Sequence, residues 1–465
     1  MRPRTAFPLR PHVRNTLVLL SALTVLLLGL LYSSRSPALA TGVTKPPDYA
    51  SPLPSPATSV SANITVDTTW RLVDSPVQVT TDVTVVGPAT LTIEPGVVVR
   101  FQQLASLTVD ATGRLVANGT ASQPITLTGT TQQPGWWDGL SIVGTFASPN
   151  NSGAALNYVT IQYGAAYGNL YVEYAVVTMT NSSVGNSSAD GVYGWYGGVA
   201  HITNTTFTGN QGYAVHFIDG SVNPVLERLE ATGNGGDGVA IGDGALTGRH
   251  VWEKAGLPYI LTNGATVAGG AILTVEPGVE VQFQQNTGLT VNGKLAAVGT
   301  PTEPITFTGT TRQPGWWDGL SIVGWLDDPA AASISYVTIE YGATWGNLYI
   351  QEAQAAVSHS TIRYSSADGV YVWYGASGST IASSQIVSNA GFAVRNVDTE
   401  RTVLAANNWW GSNTGPVTID NSACNPGGSG ATVSGGVAFA PFLTVPGATP
   451  DPLSHGETRI LSLTP

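Results

Sequence analysis

The stretch PITLTGTTQQPGWWDGLSIVG, from Pro124 to Gly144, recurs almost unchanged as PITFTGTTRQPGWWDGLSIVG, from Pro304 to Gly324. The match extends outward, because LTIEPGVVVRFQQ from Leu91 corresponds to LTVEPGVEVQFQQ from Leu273. The offset between the copies falls from 182 residues there to 180 in the long stretch, as small deletions in the second copy require. Self-similarity at this spacing predicts a tandem duplication with units of about 180 residues, a domain-scale length.

A shorter period of 22 residues lies inside each unit, as Leu170, Val192 and Ala214 show in the first copy. The runs between glycine and asparagine breaks are rich in β-branched residues, which favour strands over helices. Short strands at such a period predict a solenoid, and the spacings of leucine-rich repeats or propeller blades are absent. A parallel β-helix remains, because its stacked coils satisfy one another's backbone hydrogen bonds.

Strand alternation predicts which side chains of a coil face the interior. Tyr171 and Tyr371 are expected to point outward between inward neighbours. The predicted inward residues are Leu140, Ile142, Leu170, Val172, Val192, Leu320, Ile322, Leu348, Ile350, Val370 and Val372.

These motifs resemble those of secreted right-handed parallel β-helix repeat proteins, the superfamily that also contains the pectate lyases. The family's blocks L…PG…F, G.L.A.GT…PI.FT and G.W.GI correspond here to LTIEPGVVVRF, GRLVANGTASQPITLTGT and GWWDGLSI, and they occur twice. A closing block, NNWWGSNTGP from Asn407, resembles the terminal coil of such proteins. The resemblance covers roughly residues 62 to 443 and implies an all-β, single-stranded right-handed β-helix and secretion, while a shared fold says little about activity.

Five segments are predicted along the chain. They are a signal peptide or signal anchor at 1–40, a Pro/Ser-rich linker at 41–61, a first β-helix unit at 62–247, a second unit with the terminal NNWWG coil at 248–445, and a tail at 446–465.

The N-terminal segment predicts export. Four arginines precede the apolar run Thr16–Tyr32, and no acidic residue occurs before Asp48. Cleavage is expected after Ala40, which ends an Ala-Leu-Ala site suited to signal peptidase. If the run is not cleaved, residues 16–32 would be the one membrane contact. Either way, we expect a secreted or cell-surface protein.

The charge balance restricts the partners. Removing residues 1–40 removes five arginines and no acid, which changes the net charge from −11 to −16. A nucleic-acid partner is disfavoured, because phosphate binding needs clustered basic residues and the lysines are limited to Lys45, Lys254 and Lys294. Acidic polysaccharides are disfavoured for the same reason, whereas neutral glycans, a cell-envelope surface or divalent cations fit better. Cys424 is the only cysteine and is interpreted as structural or incidental.

Several acidic residues recur in both copies and are candidates for a catalytic or calcium-binding role. Asp138 and Asp318 of WWDGL are predicted to cap turns, with catalysis or calcium binding as the alternative. Asp190 and Asp368 of SADGVY are predicted at corners between coils. The run GNGGDGVAIGDG, Gly233–Gly244, has the composition of calcium-binding arrays without their register. A glycine-rich turn between the units is expected there, and calcium remains the weaker alternative to having no cofactor.

No catalytic set is predicted. Alignment by offset places His201, His216 and His359 opposite Ser379, Val394 and Asn181, and no pair of histidines has metal-ligand spacing. Enzymes that resemble this fold carry clusters of charged catalytic residues. Here the NTD and RIK segments of polygalacturonases are absent, and the one DD pair is in the second copy only.

Aromatic residues give the strongest functional signal, because we expect the 12 Trp and 17 Tyr to concentrate where strands face outward. We expect Tyr171 and Tyr193 to stack one coil above another, with Trp195 two residues on, and exposed aromatic rows on a rigid sheet suit sugar rings. The alternative is that the rings only cover the sheet or pack beneath the loop at residues 148–155. The candidate carbohydrate-binding residues are Tyr171, Tyr193, Trp195, Tyr349, Tyr371 and Trp373.

The sequence thus predicts an exported, non-catalytic β-helix protein that binds carbohydrate or serves as a structural or adhesive rod. A polysaccharide lyase or glycoside hydrolase is the alternative. Because the motif occurs twice, a polymeric ligand is expected to reach both sites at once.

Overall fold

The computed structural model describes residues 58–447, except 148–152, 326–329, 375, 377, 399–400 and 420–424. The predicted signal segment, most of the linker and Cys424 lie outside the described residues. The first strand begins at Thr58, inside the predicted linker.

Short parallel strands wind into one continuous solenoid over the described part of the chain, which confirms the all-β parallel β-helix. Sheet A contains β1 Thr58–Val60, β3 Val77–Val79, β6 Val98–Phe101, β9 Ile125–Gly129, β12 Val159–Gln162, β15 Ser183–Gly185, β18 Thr206–Thr208 and β21 Glu230–Thr232. Sheet C contains β2 Thr68–Trp70, β5 Thr90–Ile93, β8 Arg114–Asn118, β11 Gly153–Asn157, β14 Val176–Thr180, β17 Val199–Thr203 and β20 Val225–Glu227. A short 3₁₀ helix spans Leu72–Asp74.

One sheet runs through both copies, and two others begin in the second. Sheet B contains β4 Val83–Val85, β7 Ser106–Val109, β10 Gly139–Val143, β13 Gly168–Glu173, β16 Asp190–Trp195, β19 Tyr213–Asp219, β22 Gly236–Asp243, β25 Tyr259–Leu261, β28 Glu280–Phe283, β31 Ile305–Gly309, β34 Val337–Glu340, β37 Thr361–Arg363 and β40 Gln385–Val387. Sheet D contains β23 Ala245–Leu246, β26 Ala265–Val267, β29 Gly288–Val291, β32 Gly319–Val323, β35 Gly346–Gln351, β38 Asp368–Val372, β41 Val394–Asn396, β43 Pro416–Thr418 and β44 Gly430–Val433. Sheet E contains β24 Arg249–Trp252, β27 Ile272–Val275, β30 Lys294–Val298, β33 Ala330–Ser335, β36 Ala353–Ser358, β39 Thr380–Ala382, β42 Val403–Leu404 and β45 Val437–Ala438.

Strand alternation sets the core as predicted. All eleven residues predicted to face inward are buried in one hydrophobic cluster that extends along the coils. Their alignment follows the parallel register, in which Leu140 lies beside Leu170 and Leu170 beside Val192. The solenoid continues through residue 247, so the boundary between two units remains a prediction from sequence.

The GWWDG motif contributes a side chain to the hydrophobic core in addition to forming a turn. Trp137 is fully buried, its ring stacks on Phe101 with centroids 3.9 Å apart, and its Nε1 donates to the carbonyl of Gln162 at 2.8 Å. Trp317 repeats this arrangement on Phe283 at 4.0 Å. The expectation that tryptophans concentrate on outward positions is therefore wrong for these two residues, because the indole fills a coil interior while its N–H has a carbonyl partner.

The second copy enters the stack shifted by one face. From β2 to β20, each strand has its counterpart 22 strands later, as the identical GLSIV segments of β10 and β32 show. A coil contributes one strand to each of three sheets, so 22 strands are one more than seven complete coils. Consequently β10 lies in sheet B and β32 in sheet D, while β31, the counterpart of β9 in sheet A, lies in sheet B.

The Gly233–Gly244 run forms this junction. The expectation of a turn is wrong for most of it, because residues 236–243 form β22, an eight-residue strand. Its glycines accommodate large neighbours: a Cβ on Gly236 would lie 2.2 Å from Cδ1 of Tyr213, and one on Gly238 would lie 2.5 Å from Cδ1 of Ile260. Glycine there reflects close packing between coils.

Candidate functional site

Two rows of outward side chains, one in each copy, contain the predicted aromatic residues. Cross-strand pairing defines each row coil by coil, and the aromatic part of each row is followed by His216 or Arg395. The first row, on sheet B, consists of Thr84, Thr108, Ser141, Tyr171, Tyr193 and His216. The second row, on sheet D, consists of Thr266, Thr290, Ser321, Tyr349, Tyr371 and Arg395.

The first platform comprises Tyr167, Tyr171, Tyr193 and Trp195. The rings of Tyr171 and Tyr193 stack with centroids 6.1 Å apart, as the register predicts, and Trp195 lies 5.9 Å from Tyr193. Tyr167 covers all three, at 5.1 Å from Tyr171, 5.4 Å from Tyr193 and 5.8 Å from Trp195. The four rings therefore form one continuous aromatic surface.

The second platform comprises Trp345, Tyr349, Tyr371 and Trp373. Tyr349 and Tyr371 stack at 5.8 Å, and Trp373 stacks on Tyr371 at 5.9 Å with an interplanar angle of 17°. Trp345 takes the covering position, 5.3 Å from Tyr371 and 6.1 Å from Trp373. The structure brings together all six residues predicted from the sequence, three on each platform.

The covering residues Tyr167 and Trp345 were not predicted. Each lies in the turn that leads into its platform strand, β13 or β35, outside the strand periodicity that identified the other rings. The signal was present in the sequence, since AAYGN and ATWGN place an aromatic at the same point of both copies. Both side chains remain about half exposed, at 50% for Tyr167 and 48% for Trp345.

Burial differs among the rings. Tyr193 and Tyr371 are only 8% and 7% exposed, because the covering residues lie over them. These two rings are thus partly structural, as the alternative interpretation predicted. They are covered by the turn that contains Tyr167 or Trp345. Residues 148–152 of the loop named in that interpretation lie outside the described residues. The covering residue is the most exposed ring of each platform; Trp373 is 38% exposed, and Trp195 is part-buried.

The phenol groups of the rows have polar partners that differ between the copies. The Tyr171 hydroxyl donates to the Glu173 carboxylate at 2.8 Å, whereas the Tyr349 hydroxyl donates to the Gln351 amide oxygen at 2.6 Å. Burial raises the pKa of Tyr171 well above its usual range, and the hydrogen bond to Glu173 and the charge of that carboxylate raise it further. Burial also raises the pKa of Tyr349, so both rings stay neutral at physiological pH.

A buried aspartate lies behind each platform. Asp190 begins β16 and accepts the backbone N–H of Tyr213, and its carboxylate lies 2.9 Å from Nδ1 of His216. Asp368 begins β38 and accepts the N–H of Phe392 at 2.7 Å. These residues fasten the corner of the next coil, which agrees with the corner position predicted for both.

The side chain that pairs with this aspartate differs between the copies. Nε of Arg395 lies 2.6 Å from Oδ2 of Asp368, and its guanidinium lies 5.6 Å from the centre of the Tyr371 ring. The offset alignment placed His216 opposite Val394. That placement is wrong by one residue, because Val215 and Val394 occupy the same inward position and His216 corresponds to Arg395.

A shallow polar groove of about 540 Å³ lies along sheet D below the second platform. Its floor includes Thr290 and Ser321 of the second row, and Asn286, Asp243 and Asp318 lie at its sides. Hydroxyl groups therefore lead directly along the coils to the aromatic rings.

The other predicted residues have structural surroundings. Asp138 and Asp318 directly precede β10 and β32, and their N–H groups donate to the carbonyls of Ala105 and Thr287 at 3.0 and 2.8 Å. Burial raises the pKa of Asp138, and the nearby Asp82 adds to the effect. Across residues 58–447 with the stated gaps, no cluster of three or more His, Cys, Asp or Glu could hold a metal ion, and no helix is long and apolar enough to cross a membrane.

Comparison with known proteins identifies the fold family. Residues 62–171 match the family of pectate-lyase-like β-helix domains, and residues 146–293 match the right-handed β-helix region. These two segments therefore match β-helix domains, one of them pectate-lyase-like, in agreement with the parallel solenoid of the structure. Protein bark beetle of Drosophila melanogaster is 40% identical over 62 residues, which are 13% of this chain and 2% of that protein. No solved structure gives a significant match.

Proposed function

We propose that this is an exported, non-catalytic β-helix protein that binds carbohydrate at the cell surface or in the extracellular space. The observation that supports this most strongly is the aromatic platform, which occurs twice with the same four positions and with a half-exposed covering ring each time. Flat aromatic faces next to a row of hydroxyl groups suit a sugar ring, whose apolar face stacks and whose hydroxyls need hydrogen-bond partners.

Neutral glycans are the proposed ligands. The chain after residue 40 has a net charge of −16, and the groove beside the second platform presents Asp243 and Asp318. Such a surface repels uronates and sulfates and carries no cost for neutral sugars. Export rests on the N-terminal sequence, with either a cleaved signal or an anchor at residues 16–32.

The test is binding to immobilised xylan, mannan and laminarin, with polygalacturonate and alginate as acidic comparisons. Trp345→Ala and Trp373→Ala should each weaken binding of a neutral glycan at the second platform several-fold and leave the melting temperature nearly unchanged. Tyr336→Ala is the matched control, because Tyr336 stacks on His359 at 4.9 Å between sheets E and B, away from the platform on sheet D. Equal losses for all three variants, or binding to none of the glycans, would refute the proposal.

The catalytic alternative follows from the matched family, whose description names a pectate-lyase-like domain. It rests on fold analogy, which does not determine activity. Release of reducing ends or unsaturated products from the same glycans by the wild-type protein would establish it.

A further inference from the structure

The two platforms lie on different faces of one solenoid. The first is on sheet B and the second on sheet D, the face that follows sheet B in the direction of the chain, because the copies are separated by 22 strands and not by a multiple of three. Each row runs along the solenoid axis within its own face, so a glycan that follows a row stays on that face.

The rows also follow one another along the axis. From β16, which carries Tyr193, six coil-to-coil steps along sheet B reach β34, the strand before the second platform. At about 4.8 Å per step this is roughly 29 Å. Beyond His216, the first row continues with Ala240, Ile260 and Gln282, none of which is aromatic. A chain extended along sheet B therefore meets no second platform.

On this basis we propose that the protein cross-links two separate neutral glycan chains, one held on each face. The inference rests on the proposed function and extends it. It replaces the expectation from sequence that one polymer reaches both sites, because a stiff chain lying on sheet B would have to turn around a corner of the solenoid to reach sheet D. Bivalent binding requires a ligand that can span both sites, and its advantage is lost when the geometry forbids it.

The experiment uses the full-length protein and particles coated separately with xylan, mannan or laminarin. Wild-type protein should agglutinate at least one set of particles. Tyr167→Ala/Trp195→Ala removes the exposed rings of the first platform, and Trp345→Ala/Trp373→Ala those of the second. Each double variant should still bind the particles through its remaining platform and should fail to agglutinate them. Tyr336→Ala should agglutinate like the wild type.

The remaining outcomes overturn the inference in distinguishable ways. If wild type binds but does not agglutinate, the cross-linking proposal fails and carbohydrate binding stands. If either double variant loses tenfold or more in affinity for the soluble polymer, one chain engages both platforms and cross-linking is again wrong. If a double variant still agglutinates, the two platforms are not the bridging sites. If the wild type binds none of the particles, the proposed function fails together with the inference.

Discussion

The two platforms share their geometry and differ in their chemistry. In both, a pair of tyrosines stacks across one coil step, a tryptophan follows, and a turn residue covers them. At equivalent positions of the two platforms, Tyr167 corresponds to Trp345, Glu173 to Gln351 and His216 to Arg395. The coil register fixes where rings lie, because each position is set by backbone pairing with its neighbours, whereas the polar surroundings are free to change. The fold thus conserves a stacking surface while charge varies beside it.

The largest expected effect tests whether the coil interiors of the two copies are equivalent. Trp137→Ala and Trp317→Ala should each lower the free energy of unfolding by about 3 to 5 kcal/mol, because each removes a fully buried ring. Each indole stacks on a phenylalanine and donates a 2.8 Å hydrogen bond to a backbone carbonyl. The two losses of unfolding free energy should therefore be similar. Equilibrium unfolding in denaturant measures them.

The control for this comparison is the neighbouring indole of the same motif. Trp136 is only partly buried, and its Nε1 donates to Oγ1 of Thr130 at 2.9 Å. Trp136→Ala should therefore cost clearly less than Trp137→Ala. A loss at Trp317 far smaller than at Trp137 would show that the second interior is packed differently.

A smaller effect is expected at the aspartates behind the platforms. Asp368→Ala removes the acceptor of the Phe392 N–H and the partner of Arg395. We expect a loss of about 1 to 3 kcal/mol, the cost of leaving a buried donor unpaired, and the same direction for Asp190→Ala. Thermal unfolding measures both. Asp368→Asn keeps an acceptor and should cost less; equal losses for the Ala and Asn variants would contradict the role given to the backbone N–H.

At the platform surface the expected change is in binding alone. Trp345→Ala should weaken glycan binding by about 1 kcal/mol, and Tyr167→Ala by somewhat less, since an indole offers the larger face. Titration calorimetry with an oligosaccharide that spans one platform would measure each site. Loss of stability without loss of affinity would make the covering residues purely structural.

The smallest effect distinguishes the two tyrosine environments. Because Glu173 raises the pKa of Tyr171 by hydrogen bonding and by charge, Glu173→Gln should lower that pKa, while Tyr349 is unaffected. A folded pKa above the unfolded value of about 10 means that the stability from the neutral phenol is complete below pH 10 and is lost as the pH rises further. Phenolate absorbance during alkaline titration reports the change, and an unchanged titration would contradict the assigned hydrogen bond.

Much of this arrangement follows from local sequence pattern. Period-two alternation identified the inward Leu170 and Val192, and the 22-residue spacing placed Tyr171 beside Tyr193. Tyr167 was missed because turn residues follow no strand period. The burial of Trp137 was missed because composition does not distinguish an indole that covers a sheet from one that fills a coil.

The shift between faces was also beyond the sequence argument. To find the shift, strands must be counted through coils of unequal length. The glycine-rich sequence of β22 predicted a turn and not a strand. The pairing of β22 with β25, in which Val239 lies beside Tyr259, shows that sheet B continues across the junction. Pairing between distant residues, more than propensity, decides such a register.

Each copy has one strand more than seven complete coils, so each further copy places its platform one face further around the solenoid. Any chain lengthened by repeating this unit would present its third platform on the one face still unused, and its fourth directly in line with the first. The number of copies would then set how many faces of the solenoid carry a platform, and a unit one strand shorter would place every platform on the same face.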